Sequence, residues 1–147
     1  MYLRDICGRE EGAPPPVDLA AEKRNGDVVR GMIHAGTATA VHDVSDGGLL
    51  IALAEMAIAS GIGAQLLAAP SSIVPHAYWF GEDQARYVLA VPDAASLIRA
   101  AEAAGLAAAR IGTSGGQDLT LPDGGTISVR ALRVAHERFF PSWMDGG

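Results

Sequence analysis

The stretch at residues 49–59 holds a single charge, Glu55, and otherwise consists of helix-forming apolar residues. Leu49, Leu50, Leu53, Met56 and Ala57 recur at helical spacing, so a helix here is apolar around most of its circumference and must be covered on most of its surface. Just upstream, residues 39–44 are partly β-branched, and Ser45-Asp46-Gly47-Gly48 has the chemistry of a glycine turn. The pattern predicts a strand, a tight turn and a buried helix in succession.

At 147 residues and 15.1 kDa the chain has the bulk of about one ordinary domain, so a single core is expected. Hydrophobic residues make up 49% and charged ones 19%, which excludes disorder as the whole answer. Lys and Arg number 11 against 17 Asp and Glu, a net charge of -6, and no basic block forms a cationic stripe. That balance argues against nucleic acid as a partner. Every apolar run is broken well short of the roughly 20 residues that cross a bilayer, so no membrane span and no signal peptide are read. Cys7 is the sole cysteine, which fits a reducing, cytoplasmic setting. Aromatic residues at 5% beside an alanine-rich apolar fraction suit helices packed closely on a sheet.

Residues 1–17 lack a clean period and carry Gly8, Gly12 and Pro14-Pro15-Pro16, so they read as an extended lead-in, a linker or a strand remnant. Asp18 stands at an N-cap position and predicts a helix over residues 19–35, ended by Gly36, with Asn25-Gly26 as an interruption. Strands are predicted over 64–68, 86–91 and 106–111. Residues 73–80 read as a loop or short helix bearing Tyr78, Trp79 and Phe80, and Asp93 caps a helix ending near Ala104. Residues 119–121 and 126–129 flank Pro122-Asp123-Gly124-Gly125 as a hairpin, and a closing helix runs over 130–138 before Phe139-Phe140-Pro141. Helices and strands interleaved with one hairpin predict an α+β fold, a mixed sheet packed with helices, rather than a doubly wound sheet.

Asp43, Ser45 and Asp46 place carboxylates and a hydroxyl at a strand end, and Gly47 and Gly48 open a helix. A helix N-terminus has unpaired N–H groups and partial positive charge, so this turn can hold a phosphate or a ribose hydroxyl, with Ser45 and the amides near Gly47 and Gly48 as donors. The same residues also make a self-contained turn in which Ser45 or Asp46 caps its own helix and nothing binds. A Ser-His-Asp hydrolase is opposed by the missing Gly-x-Ser-x-Gly elbow, and His42, Asp43 and Asp46 fall short of a hexacoordinate metal site. Glu82, Asp83 and Gln84, with Arg86, form either a ligand contact or a solvated loop with a local ion pair. Tyr78, Trp79 and Phe80 suit packing, or an interface with another domain. His34, His76 and His136 have no ligating spacing. No phosphate loop, dinucleotide fingerprint or partnered general base is present, so these residues alone assemble no complete active site.

Three segments in order resemble a known family: Pro14-Pro15-Pro16-Val17-Asp18-Leu19, the run from His42 through Ala57, and Phe80-Gly81-Glu82-Asp83-Gln84-Ala85-Arg86-Tyr87. With His136-Glu137 and Phe139-Phe140-Pro141, they resemble the carboxy-terminal domain of the large subunit of phosphoribosylformylglycinamidine synthases, in the aminoimidazole ribonucleotide synthetase-like superfamily. The resemblance covers nearly the whole chain. It implies that residues 1–147 form one C-terminal aminoimidazole ribonucleotide synthetase-like domain of a purine-biosynthesis ligase. That ligase turns formylglycinamide ribonucleotide, ATP and glutamine into formylglycinamidine ribonucleotide, ADP, phosphate and glutamate. ATP and Mg²⁺ are then bound mainly outside this chain, which is expected to hold no cofactor or metal and to be inactive alone.

The partners so implied are the remaining domains of the large subunit, a glutaminase subunit and a small accessory subunit. The stretch that leads into Tyr2-Leu3 in the family has no counterpart here, so the chain is expected to be a fragment lacking its first strand and to form a homodimer through the cropped sheet edge. No catalytic residue carries over from the family. Glu82-Asp83-Gln84 resembles a Glu-Ser-Gln segment by which the amino-terminal copy of this domain meets substrate, and the carboxy-terminal copy faces an auxiliary nucleotide site. The ligand-facing candidates are therefore Asp43, Ser45, Asp46, Gly47, Gly48, Glu82, Asp83 and Gln84. Two rival readings are a non-catalytic interaction module or scaffold, and a domain of another synthetase of the superfamily.

Overall fold

A computed structural model describes residues 2–10 and 16–144. The elements run α1 (Tyr2–Asp5), α2 (Leu19–His34), β1 (Ala40–Asp43), α3 (Gly48–Ser60), β2 (Ala64–Leu66), α4 (Pro75–Phe80), β3 (Tyr87–Ala90), α5 (Ala94–Ala103), β4 (Gly112–Ser114), β5 (Asp118–Thr120), β6 (Thr126–Ser128) and α6 (Val129–Met144). Two compact units share the chain, one drawn from residues up to Leu53 and from Ala69–Arg110, the other from Ala54–Ala68 and from Ile111 onward.

In the first unit β1 pairs antiparallel with β3, in the register Ala40↔Ala90 to Asp43↔Tyr87. Thr39 extends the ladder at one end by donating its N–H to the Ala90 carbonyl at 2.8 Å, and Val44 extends it at the other by donating to the Arg86 carbonyl at 2.9 Å. The α2 helix starts where the Asp18 carboxylate accepts from the amides of Ala20 and Ala21. It ends in a Schellman turn: Gly36, at φ +67°, donates to the Ile33 carbonyl, and Thr37 donates to that of Met32. Asn25-Gly26 does not interrupt it, because the helix hydrogen-bonding continues through both residues. The α5 helix is capped by Asp93, whose carboxylate accepts from the Ser96 amide.

The second unit holds a four-stranded sheet in the order β4-β2-β5-β6. β2 runs antiparallel to β4 but parallel to β5, and β5 with β6 makes the hairpin, so the sheet is mixed as expected. The predicted strand over 106–111 is absent. That stretch is irregular as far as Ile111, whose carbonyl accepts from the Leu67 amide at 2.9 Å, and regular pairing follows in β4, where Gly112 faces Leu66. Ala107, Ala108 and Ala109 supply too little side chain for a pleated surface to hold.

Apolar burial follows the composition: Val44, Leu49, Ala52, Leu53, Val88 and Ala101 in the first unit, and Ala54, Ala57, Leu66, Leu119 and Val129 in the second. Five of these lie on α3, the helix whose near-lack of charge demanded cover. Two other expectations are corrected. Residues 2–5 form a helical turn rather than an extended lead-in, with the Tyr2 ring stacked on Phe80 at 4.3 Å and 6°; Pro14 and Pro15 lie outside the described residues. The closing helix does not stop before Phe139 but passes through Pro141 to Met144, since a proline in the exposed last turn forfeits only one helical bond, whose acceptor water can serve.

Candidate functional site

The two sequence segments marked as ligand-facing meet in the first unit. β1 delivers Asp43 to the strand end, Val44 is buried, and the chain turns through Ser45 and Asp46, both exposed, into Gly47 and Gly48, both buried. Gly47 and Gly48 take φ values of +83° and +75°, which L side chains rarely adopt. The Gly48 amide closes the turn on the Ser45 carbonyl at 3.0 Å. The Gly47 amide donates to Glu82 Oε1 at 3.0 Å, a bond spanning 35 residues. A Cβ on Gly48 would stand 2.6 Å from the Phe80 carbonyl carbon, so the turn also seats directly on the backbone that leads into Glu82.

Glu82, Asp83 and Gln84 follow α4, and the loop that carries them is fastened at several points. Arg86 Nη1 approaches the Gly81 carbonyl at 3.4 Å and Asp83 Oδ2 at 3.3 Å. Asn25 of α2 donates through Nδ2 to the Ala85 carbonyl at 2.7 Å. The hydrogen bond from Gly47, the largest influence, holds the Glu82 carboxyl below the usual carboxylate range, the charge of Arg4 helps, and burial works the other way. Glu82 is therefore an anion at neutral pH. It occupies the amide that the sequence offered to a phosphate, and the Gly48 amide is likewise engaged. What the rim presents outward is mostly acceptor: Asp43, Ser45, Asp46, Asp83 and Gln84 are all exposed. Such a rim suits ribose hydroxyls, amide or amino donors, or an anion whose charge a cation has already offset, better than a bare phosphate.

Beside the rim lies an open groove of about 810 Å³, lined among others by Glu22, Asp27, Arg30, His42, Asp43 and Tyr87. The Tyr87 hydroxyl donates to Glu22 Oε1 at 2.8 Å, and this carboxylate, with burial second, pushes the phenol above its ordinary value. His42 Nδ1 lies 2.6 Å from the Asp43 carbonyl. Asp27 pairs with both Lys23 and Arg30. Among the described residues no three His, Cys, Asp or Glu side chains group as a metal-ligand set, so His42, Asp43 and Asp46 do not make one. Tyr78 and Trp79 pack edge to face at 4.8 Å. The sequence left Glu22, Asn25 and Tyr87 unmarked as site-building residues; the one local signal was an Asn-Gly pair inside an otherwise regular helix.

The family model described as "AIR synthase related protein, C-terminal domain" matches residues 1–122. The chain belongs to that family. Members of it similar to this chain are long proteins. The phosphoribosylformylglycinamidine synthase subunit PurL of a Bradyrhizobium species is 65% identical over 148 aligned residues, which are 99% of this chain and 20% of that protein. PurL of Rhodopseudomonas palustris is 65% identical over 146, again 20% of its length. The chain thus spans about a fifth of the curated relatives it matches. Among solved structures, Thermotoga maritima PurL complexed with FGAR superposes with a TM-score of 0.69 at 19% identity, over 88% of this chain and 24% of that one. The PurLQS structure from the same organism gives 0.65 at 21%, over 90% and 24%. At these identities the structures establish a shared fold, the α+β arrangement of the AIR synthase-related C-terminal domain.

Proposed function

We propose that this chain serves as a C-terminal domain of an ATP-dependent carbon–nitrogen ligase of the PurL type, which makes formylglycinamidine ribonucleotide from formylglycinamide ribonucleotide, ATP and glutamine. The observation that carries the reading is the 65% identity to PurL subunits across 99% of the chain. Replacing an amide oxygen by nitrogen needs that oxygen to leave, and ATP cleavage lets it leave as phosphate. On this reading the apparatus for that step lies mainly in the other domains of the ligase. ATP and Mg²⁺ are likewise bound mainly outside this chain, in keeping with the engagement of the Gly47 and Gly48 amides by Glu82 and Ser45.

On this reading the rim of Asp43, Ser45, Asp46, Gly47, Gly48, Glu82, Asp83 and Gln84 forms one wall of a cleft completed by other domains. The bond from the Gly47 amide to Glu82 supports it, since it joins two distant segments into one surface of hydrogen-bond acceptors. The exposure of Leu19, Phe139, Phe140 and Trp143 supports a setting in which further protein covers this domain. The remaining large-subunit domains would do so, within an assembly that includes glutaminase and small accessory subunits, in the cytoplasm. No helix among the described residues is long and apolar enough to cross a membrane.

A chimera tests the proposal: residues 1–147 replace the matching fifth of the Bradyrhizobium PurL, and the gene is placed in a purine auxotroph that lacks its own PurL. Growth without purine is the expected outcome, with none when residues 1–147 are supplied alone. A soluble chimera that leaves the strain dependent on purine would overturn the assignment.

A further inference from the structure

We infer that Asn25 is a positioning residue, which holds the Glu82-Asp83-Gln84 segment in its ligand-facing form through the left-handed backbone of Ala85. Among the described residues Ala85 is the only non-glycine residue with a positive φ, +62°. A side chain with a Cβ avoids that region, so the conformation persists only where its surroundings enforce it, and such outliers concentrate at functional loops. The chain has already been fixed on both sides of Ala85: Glu82 takes the Gly47 amide, and the Arg86 carbonyl takes that of Val44. The reversal between those two anchors falls on Ala85. Its carbonyl is where Asn25 donates, at 2.7 Å and partly buried, across 60 residues of sequence.

The Asn25-Gly26 pair gains a purpose from this contact. Asparagine in a helix interior is a weaker helix former than alanine, and glycine is weaker still, yet α2 runs through both. At Gly26 α2 passes beside β3, where a Cβ would meet the Tyr87 hydroxyl in ordinary contact at 3.4 Å. Asn25 then reaches the loop that precedes the strand. Without its donor the left-handed state of Ala85 loses its partner, the backbone relaxes to negative φ, and Asp83 and Gln84 swing away from the turn at residues 43–48.

The inference rests on the ligand-facing reading of residues 82–84, and the test separates the two. In the full-length ligase carrying this segment, apparent KM values for ATP and for formylglycinamide ribonucleotide are measured with Gln84→Ala, Asn25→Ala and the double variant Asn25→Ala/Ala85→Gly. Gln84→Ala is expected to raise the KM of one substrate and so to identify it. Asn25→Ala should raise that same KM by about five- to tenfold, the worth of one partly buried hydrogen bond, with kcat within about twofold. Glycine adopts positive φ at no steric cost, so the double variant should return KM to within about twofold of the parent, which a general loss of folding would not allow. A crystal structure of the Asn25→Ala protein should find Ala85 at negative φ. The inference is overturned if Gln84→Ala raises a KM that Asn25→Ala leaves alone, if Ala85→Gly gives no rescue, or if Ala85 keeps its positive φ without Asn25. If Gln84→Ala moves neither KM, the ligand-facing reading fails first and this inference falls with it.

Discussion

Replacing Gly48 by alanine measures how tightly the turn into α3 sits on the end of α4. Two penalties add. At φ +75° an L side chain costs about 1–2 kcal/mol relative to glycine. The new Cβ would also stand 2.6 Å from the Phe80 carbonyl carbon, 2.7 Å from its Cα and 2.9 Å from the Gly81 carbonyl oxygen. All three are backbone atoms, and the Gly81 amide is tied to the Ala77 carbonyl at 3.0 Å, so no flexible side chain can yield. Forcing a methyl group into such a contact costs about 1–3 kcal/mol more. Gly36→Ala is the control, because Gly36 has nearly the same φ, +67°, with nothing within 4 Å of its Cβ position. It should lose only the conformational part. Urea unfolding followed by circular dichroism reads both variants, and with a slope of about 1–3 kcal/mol per molar urea the extra loss in Gly48→Ala should lower the midpoint by about 1 M beyond that of Gly36→Ala. Equal losses would refute the reasoning, since the clash would then be absent and the seating of residues 47–48 on Phe80 wrong.

Two further substitutions read the electrostatics. The Glu82 carboxyl lies below the usual range in the folded state, chiefly because the Gly47 amide donates to it, so it adds stability above the ordinary carboxylate pKa that is lost as pH falls through the folded value. Glu82→Gln should lower stability at pH 7 and flatten the decline in melting temperature between about pH 5 and pH 3; a decline as steep as the parent's would count against the bond. The Tyr87 phenol is pushed up by the Glu22 carboxylate, so its contribution is present below the unfolded value and lost as pH rises through the folded one. Tyr87→Phe should cost about 0.5–1.5 kcal/mol in urea unfolding at pH 7 and remove from an ultraviolet titration a phenol step that lies above the ordinary value; retention of that step would mean that Glu22 and Tyr87 are apart.

The sequence was legible wherever a residue acts on its own neighbours. Asp18 and Asp93 cap helices two or three residues away, Gly36 ends one through bonds within its last turn, and Pro122-Asp123-Gly124-Gly125 joins paired strands. The buried helix at 48–60 announced itself by lacking charge. Local chemistry misled where tertiary contacts outweigh it: stacking on Phe80 accompanies a helical turn at residues 2–5, and the contact with Ala85 accompanies an unbroken helix through Asn25-Gly26.

The site separates along the same line. Its two motifs could be marked one at a time, because a glycine pair at a strand end and an acidic-amide cluster before a strand are each visible in a few residues. That Glu82, rather than Ser45 or Asp46, takes the Gly47 amide is a contact across 35 residues, and the Asn25 donor to Ala85 spans 60. Contacts of that separation leave no period or spacing in the chain, and the positive φ of Ala85 leaves none either, since alanine signals no turn. The same contacts decide the chemistry. A turn with two free amides would invite a phosphate, whereas one whose Gly47 amide is held by an internal carboxylate offers mostly acceptors to whatever faces it. The polarity of the expected ligand surface therefore follows from one hydrogen bond that the fold makes and the sequence does not display.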